Sequence, residues 1–386
     1  MFPSLTGTPA CGSAGFRIEW TDMEKNTDII DKGGRRPMLK SVKNEKLAFA
    51  CDYMKGALPE ILDRLVSSNM ISTIGYGEDD ITESARNRIR EACGCPKAAV
   101  ELLMGGTQAN AVMIDAFLQS YEGVIAARTG HISVHEAGAI EASGHKVLEL
   151  PHESGKLLPD TVRRYLQDHF SDPTHPHMVK PGLIYISHPT EYGTLYSRDE
   201  LREYREICDR YGLSLYVDGA RLAYALACPE NDVTLKDLAE LCDAFYIGGT
   251  KCGALFGEAV VVPDPKRLPY LFTTIKQHGA LLAKGRLLGI QFDEFFRDGL
   301  YLRAGIPAIH AADRIREALA AKGYRLCYGS PTNQVFFIME NRKLEEFGEH
   351  VEYSFWEKFD DEHTVIRLVT DWGTTEQVTE ELIGIL

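Results

Sequence analysis

From about residue 98 the sequence alternates short, almost wholly apolar runs with segments of helical period, and few folds accept that rhythm. The runs are AAVELLM (98–104), GVIAAR (123–128), HKVLEL (145–150), GLIYIS (182–187), LSLYVD (213–218), DAFYIGG (243–249) and AVVVP (259–263). Between them lie segments such as SRDELREYREICDRYG (197–212) and TLKDLAELC (234–242). In the first, Leu201, Tyr204, Ile207, Cys208 and Tyr211 keep the spacing of one helix face. Ser197 with Glu200 reads as a capping box that starts this helix, and Gly212 as its stop. Strands apolar on both faces must be covered on both faces. The predicted fold class is therefore α/β, a large domain with a mostly parallel sheet covered by helices.

The texture changes after about residue 300. PAIHAADRIREALAAKG (307–323) reads as a long helix, and YRLCYG (324–329), QVFFIME (334–340) and VIRLVTDW (365–372) read as strands of antiparallel type. These predict a smaller C-terminal α+β domain over 304–386, after the large domain over 38–303. Residues 1–37 read as a flexible N-terminal extension. They are rich in small and turn-forming residues and end on the linker-like GGRRP. The first 18 residues hold one arginine and no acid, as a transit peptide does, but Glu19, Asp22, Glu24, Asp28 and Asp31 break that pattern.

Charge and cysteine usage narrow the function classes. A net charge of −14 argues against a nucleic-acid or anionic-membrane surface. No apolar run approaches the roughly 18–20 residues that cross a bilayer. The nine cysteines are scattered, which predicts reduced thiols and a cytoplasmic protein. No metal site is expected, because neither Cys93–Cys95 nor the HPH of 175–177 has an answering ligand pair.

In a parallel α/β sheet, ligands collect beyond the carboxyl ends of the strands. Three segments belong there. MGGTQAN (104–110) places two glycines and Thr107 where a strand gives way to a helix. Such a helix start can cradle a phosphate, and it can equally be a plain turn capped by Thr107. It matches neither the dinucleotide fingerprint nor the nucleotide-triphosphate loop. YVDGARLAYA (216–225) leaves Asp218 at a strand end. A half-buried carboxylate there needs a cation, either Arg221 or a protonated heterocycle. AFYIGGTKCGALFGEAVVVP (244–263) isolates Lys251 among glycines and apolar runs. It is either a snorkelling surface lysine or a desolvated amine able to attack a carbonyl. Cradle, carboxylate and amine, in that order, are what pyridoxal 5'-phosphate requires.

With these segments in view, the chain from about Lys46 onward resembles the threonine aldolase group of the β-eliminating lyase family, fold-type I pyridoxal-phosphate enzymes. The resemblance rests on GYGEDDIT (75–82), GGTQAN (105–110), GHISVHEAGA (130–139), DGARLAYA (218–225), GGTKCGALFGEAVV (248–261) and IRLVTDWGTT (366–375). It implies that Lys251 forms the Schiff base, that Asp218 faces the pyridine nitrogen, and that Gly106, Thr107 and Gln108 hold the phosphate. His131 would stack on the ring and move the proton of the substrate hydroxyl, where position alone reads as a capping or surface histidine. Arg221 and Arg367 would clamp the substrate carboxylate, although Arg367 in isolation reads as a mid-strand salt-bridge partner. Tyr76 would enter the site of a neighbouring subunit in a homodimer or homotetramer.

Two departures fall on the substrate side. Cys51 stands where many relatives have a serine near the substrate carboxylate. In SHPTEYG (187–193), Thr190 or Glu191 occupies the place of a substrate-facing histidine. The resemblance implies retro-aldol cleavage of threonine or allo-threonine to glycine and an aldehyde. β-Elimination, transamination and non-catalytic cofactor carriage are the alternatives on the same scaffold.

Overall fold

The computed structural model describes residues 46–386, so the extension expected over residues 1–37 lies outside the described residues. Strands β1 (Ala99–Leu103), β2 (Glu122–Ala127), β3 (Lys146–Leu150), β4 (Lys180–Ser187), β5 (Ser214–Asp218), β6 (Ala244–Gly248) and β7 (Glu258–Val262) form one sheet. Their order is β1-β7-β6-β5-β4-β2-β3. β7 runs antiparallel to both its neighbours, and the pairs from β6 to β3 are parallel.

The near-continuous apolar runs have a direct cause. Successive side chains of a strand point to opposite faces. Ile184, Val217, Phe245 and Ile247 enter one core cluster, while Leu183, Tyr185, Tyr216 and Tyr246 enter another. Both faces are thus dry. Ile184 is fully buried, and truncating it to alanine would cost about 2–5 kcal/mol.

Helices cover the faces. α1 (Gly106–Phe117) follows β1, and α2 (Arg198–Tyr211) precedes β5. α2 carries the expected capping box between Ser197 and Glu200, and Gly212 ends it at a φ of 68°. α3 (Leu300–Ala321) starts earlier than the expected Pro307 and keeps that proline in its interior. An interior proline costs about 3 kcal/mol. Leu300, Tyr301 and Ala304 upstream of it are buried. Burial of the first two alone returns about 1.5–3 kcal/mol each, so packing outweighs the break. The division expected between residues 303 and 304 falls inside this helix.

Beyond α3 a small antiparallel sheet runs in the order β9-β10-β8, from β8 (Gln334–Glu340), β9 (Ser354–Lys358) and β10 (His363–Val369). The strand expected over 324–329 is reduced to one bridge between Leu326 and Phe337. Tyr328 and Gly329 turn the chain there at φ of 63° and 65°. Register places Arg367 opposite both Ser354 and Phe336, in the middle strand.

Candidate active site

The ends of β1, β2, β4, β5 and β6 deliver their loops to one edge of the sheet, where they enclose a cavity of two lobes. The inner lobe measures about 300 Å³ and the outer about 580 Å³. Tyr53, His131, Glu191, Arg221 and Lys251 line both.

The inner lobe is built from strand ends. Gly105 precedes the first turn of α1, and open space surrounds the position its Cβ would take. A Cβ on Gly106 would lie 2.9 Å from the Tyr246 hydroxyl, so α1 can start this close to β6 only with glycine. The first backbone bond of the helix runs from Ala109 N to Gly105 O. The amides of Gly106, Thr107 and Gln108 precede it and have no intrahelical acceptor. Thr107 makes no cap, against the capping reading, and lines the lobe. The Gln108 side chain turns back to accept from Met104 N at 3.1 Å.

Asp218 closes β5 and is 3% exposed. Its Oδ2 accepts from the Tyr185 hydroxyl at 2.6 Å and Asn110 Nδ2 at 3.2 Å, and its Oδ1 accepts from Ala220 N at 2.9 Å. Burial works to raise its pKa, but His131 and the Tyr185 and Tyr246 hydroxyls hold it below the ordinary carboxylate range. Arg221 is not its partner. That guanidinium forks onto Asp52, with Nε to Oδ2 at 2.7 Å and Nη2 to Oδ1 at 3.0 Å. Asp218 is left a dry anion bonded to neutral donors.

Lys251 follows β6. Gly248 packs so tightly on the DGA loop that a Cβ would meet Ala220 O at 2.3 Å, which forces glycine there. The Lys251 carbonyl accepts from the Tyr224 hydroxyl at 2.6 Å. Burial first, and then the Arg221 guanidinium, push its amine's pKa down, against the carboxylates of Asp52, Asp218 and Glu258. A snorkelling surface lysine would show neither effect. Glu258, opposite Gly248, accepts from Gly249 N at 3.0 Å and Thr250 Oγ1 at 2.7 Å, and burial pushes its carboxyl up to about 8.

His131 begins a one-turn helix after β2. Its backbone N–H donates to Glu191 Oε1 at 2.9 Å, and its Nδ1 lies 2.8 Å from Glu136 Oε1. Glu191 also accepts from Ser187 Oγ at 2.7 Å, and burial raises its pKa. Of the two residues proposed for the substrate-facing place, Glu191 lines the cavity, while Thr190 bonds Thr194 at 2.7 Å.

The outer lobe draws on distant parts of the chain. Arg367 donates through Nη1 to Gln334 Oε1 at 3.0 Å and through Nη2 to Ser354 Oγ at 3.2 Å, with its guanidinium 5.1 Å from the Trp356 ring. No carboxylate pairs with it among the described residues, so the salt-bridge reading is corrected. Burial and the charge of Arg221 bring its pKa down to about 10. Tyr192 meets Trp356 edge-on at 5.0 Å and closes the wall.

Cys51 is not on the wall of either lobe; its neighbours Asp52, behind Arg221, and Tyr53 take the site positions. Tyr76 is half exposed, outside both lobes, with Lys276 Nζ 4.9 Å from its ring centre. Tyr53, Tyr192, Trp356, Glu136, Asn110 and Glu258 escaped the sequence reading. Glu136, Asn110, Glu258 and Tyr192 carried a usable signal, since each falls inside a motif that also holds a site residue; Tyr53 and Trp356 did not.

The donor set fits pyridoxal phosphate. A dry carboxylate with neutral partners suits a protonated ring nitrogen, an amine of lowered pKa suits an aldehyde, and free helix-start amides beside an open glycine suit a phosphate.

Comparisons with known proteins agree. A family model described as beta-eliminating lyase matches residues 49–327. A low specificity L-threonine aldolase of Pseudomonas sp. (strain NCIMB 10558) is 31% identical over 303 residues, 77% of this chain and 85% of that protein. The solved structure of Leishmania major threonine aldolase superposes with a TM-score of 0.85 at 41% identity, over 88% of this chain and 98% of that one. An aspartate aminotransferase variant of Thermus thermophilus, with a TM-score of 0.65 at 14% identity over 88% of this chain and 90% of that one, shares the fold.

Proposed function

The chain belongs to the beta-eliminating lyase family, and from that premise we propose that it is a pyridoxal-phosphate-dependent threonine aldolase. It cleaves threonine or allo-threonine, and similar β-hydroxy-α-amino acids, to glycine and an aldehyde. The single observation that carries this reading is the juxtaposition in one cavity of Lys251, Asp218 and His131 with two guanidiniums, Arg221 and Arg367.

When bound, pyridoxal phosphate supplies an aldehyde that takes an amino group and a protonated ring that draws electrons from the bond being broken. Lys251 offers it the amine, Asp218 keeps its ring nitrogen protonated, and the amides at the start of α1 hold its phosphate. Arg221 and Arg367 grip the substrate carboxylate. Arg367 is suited to this by having no carboxylate of its own among the described residues, and Arg221 by being braced on Asp52. With that end fixed, the bond between the α and β carbons takes one orientation. His131 receives the proton of the substrate hydroxyl, the β carbon leaves as a carbonyl, and the α carbon takes up a proton to leave as glycine. Elimination and transamination use no such hydroxyl base. A non-catalytic carrier needs no carboxylate grip.

The same reading makes the protein a cytoplasmic homodimer or homotetramer with shared sites, in which Tyr76 reaches a neighbour. Support comes from exposed Val66, Met70, Ile71, Ile74 and Tyr76, clustered along one stretch of chain, and from the free cysteines among the described residues. Sedimentation gives the number of copies.

The deciding experiment mixes the purified holoenzyme with each threonine diastereomer and assays the products. Acetaldehyde and glycine are expected. Ammonia with a keto acid would replace the reading with elimination or transamination.

A further inference from the structure

His131 is gripped from beneath by a carboxylate that the proposed reaction does not use. The Glu136 side chain is fully buried, and its Oε1 lies 2.8 Å from His131 Nδ1. Asn110, also fully buried, donates through Nδ2 to the same Oε1 at 2.7 Å and to Asp218 Oδ2 at 3.2 Å. The amide has one workable orientation. Turned over, it would set its oxygen against two carboxylates and leave three acceptors facing one another. As it stands, both amide hydrogens are used, and Asn110 Oδ1 finds no donor among the described residues. A buried polar group is thus left unsatisfied while the two carboxylates are held in place.

We propose that Glu136, braced by Asn110, is a positioning residue that fixes the tautomer of His131, with the proton on Nδ1 and the lone pair of Nε2 presented to the cavity. A carboxylate accepts and does not donate, so the ring nitrogen beside it must carry the hydrogen. The second nitrogen, on the far side of the ring, is then an acceptor. The His131 side chain is 30% exposed and lines both lobes, whereas Glu136 lines neither, so the lone pair serves the cavity side. Asn110 extends the arrangement to Asp218. The carboxylate expected behind the cofactor ring and the base expected beside it are thereby held by one amide. The inference rests on the reading of His131 as the proton acceptor.

The test is nitrogen NMR of the holoenzyme labelled with ¹⁵N-histidine, with the His131 signals assigned by their loss in His131→Phe. The expected spectrum of the unsubstituted protein shows His131 protonated on Nδ1 and bare on Nε2. In Glu136→Leu the Nδ1 proton is no longer held, and the Nε2–H form gains population. Glu136→Gln keeps an acceptor facing both donors and restores Nδ1–H. Threonine cleavage should fall about 10–100-fold in kcat in Glu136→Leu, with KM and the cofactor's visible absorbance kept, and recover in part in Glu136→Gln. In a His131→Phe background Glu136→Leu should cost nothing more. A proton on Nε2 in the unsubstituted protein overturns the proposal without need of any variant. An equal loss from Glu136→Leu with and without His131 overturns it too, because a merely structural role would behave so. If Nδ1–H is seen but threonine is not cleaved, the proposed reaction fails and the tautomer assignment stands.

Discussion

The two lobes of the cavity are made in different ways. The inner lobe takes Gly106, Asp218 and Lys251 from the ends of β1, β5 and β6, each within a few residues of a strand whose place the sheet dictates. The outer lobe gathers Tyr53, Tyr192, Trp356 and Arg367 from segments far apart in sequence, two of them on the small antiparallel sheet. A strand end fixes chemistry rigidly, and loops from elsewhere shape what enters. Cofactor functions should therefore be intolerant of change and substrate functions adjustable.

The largest effect should come from the inner lobe. Lys251→Ala is expected to abolish the visible absorbance of the bound cofactor and to lower turnover by orders of magnitude. Spectra and acetaldehyde assays check both, and retained activity would erase the distinction between the lobes. Next, in the outer lobe, Arg367→Ala should lower kcat/KM about 10–150-fold, equivalent to about 1.5–3 kcal/mol of charged hydrogen bonding. The loss should lie mainly in KM, with the cofactor spectrum untouched. A bleached spectrum would mean that the lobes are not separable.

Glu258 sharpens the contrast through pH. Its folded pKa of about 8 stands above the ordinary 4.5. Between those values the folded state binds the extra proton, so Glu258 makes stability fall as pH rises from about 5 to about 8. Replacing Glu258 with glutamine should flatten that slope, by up to a few kcal/mol across the window. Melting temperatures of both proteins at several pH values measure it. The smallest effect belongs to Trp356→Ala on the outer wall. Cleavage of threonine should change less than about tenfold, while bulkier β-substituents gain relative to it.

The contrast also explains what the sequence could reveal. The parallel sheet was legible because runs such as GLIYIS and LSLYVD are apolar on both faces, and the structure buries alternate residues in two cores. The positions of Asp218 and Lys251 follow from those strand ends. Arg221 was harder to assign. Position offered it to Asp218, and a bidentate fork onto Asp52, remote in sequence, decides otherwise. α3 began before Pro307 because burial of Leu300 and Tyr301 is a tertiary effect that local propensity does not contain. The strand expected at 324–329 failed on backbone turns at Tyr328 and Gly329. Tyr192 lay next to Glu191 in SHPTEYG with nothing to mark it as a wall, and Trp356 left no local trace, since an aromatic wall assembled across the fold has no spacing to read. Glu136 had one, five residues beyond His131, but nothing in the pattern said that a single helical turn would fold it back beneath the ring.

The holoenzyme is reduced with borohydride, digested, and its peptides are mapped by mass spectrometry. A pyridoxyl group is expected on Lys251 and on no other lysine. A label on a different lysine, or none in a protein that still cleaves threonine, would contradict the assignment of Lys251.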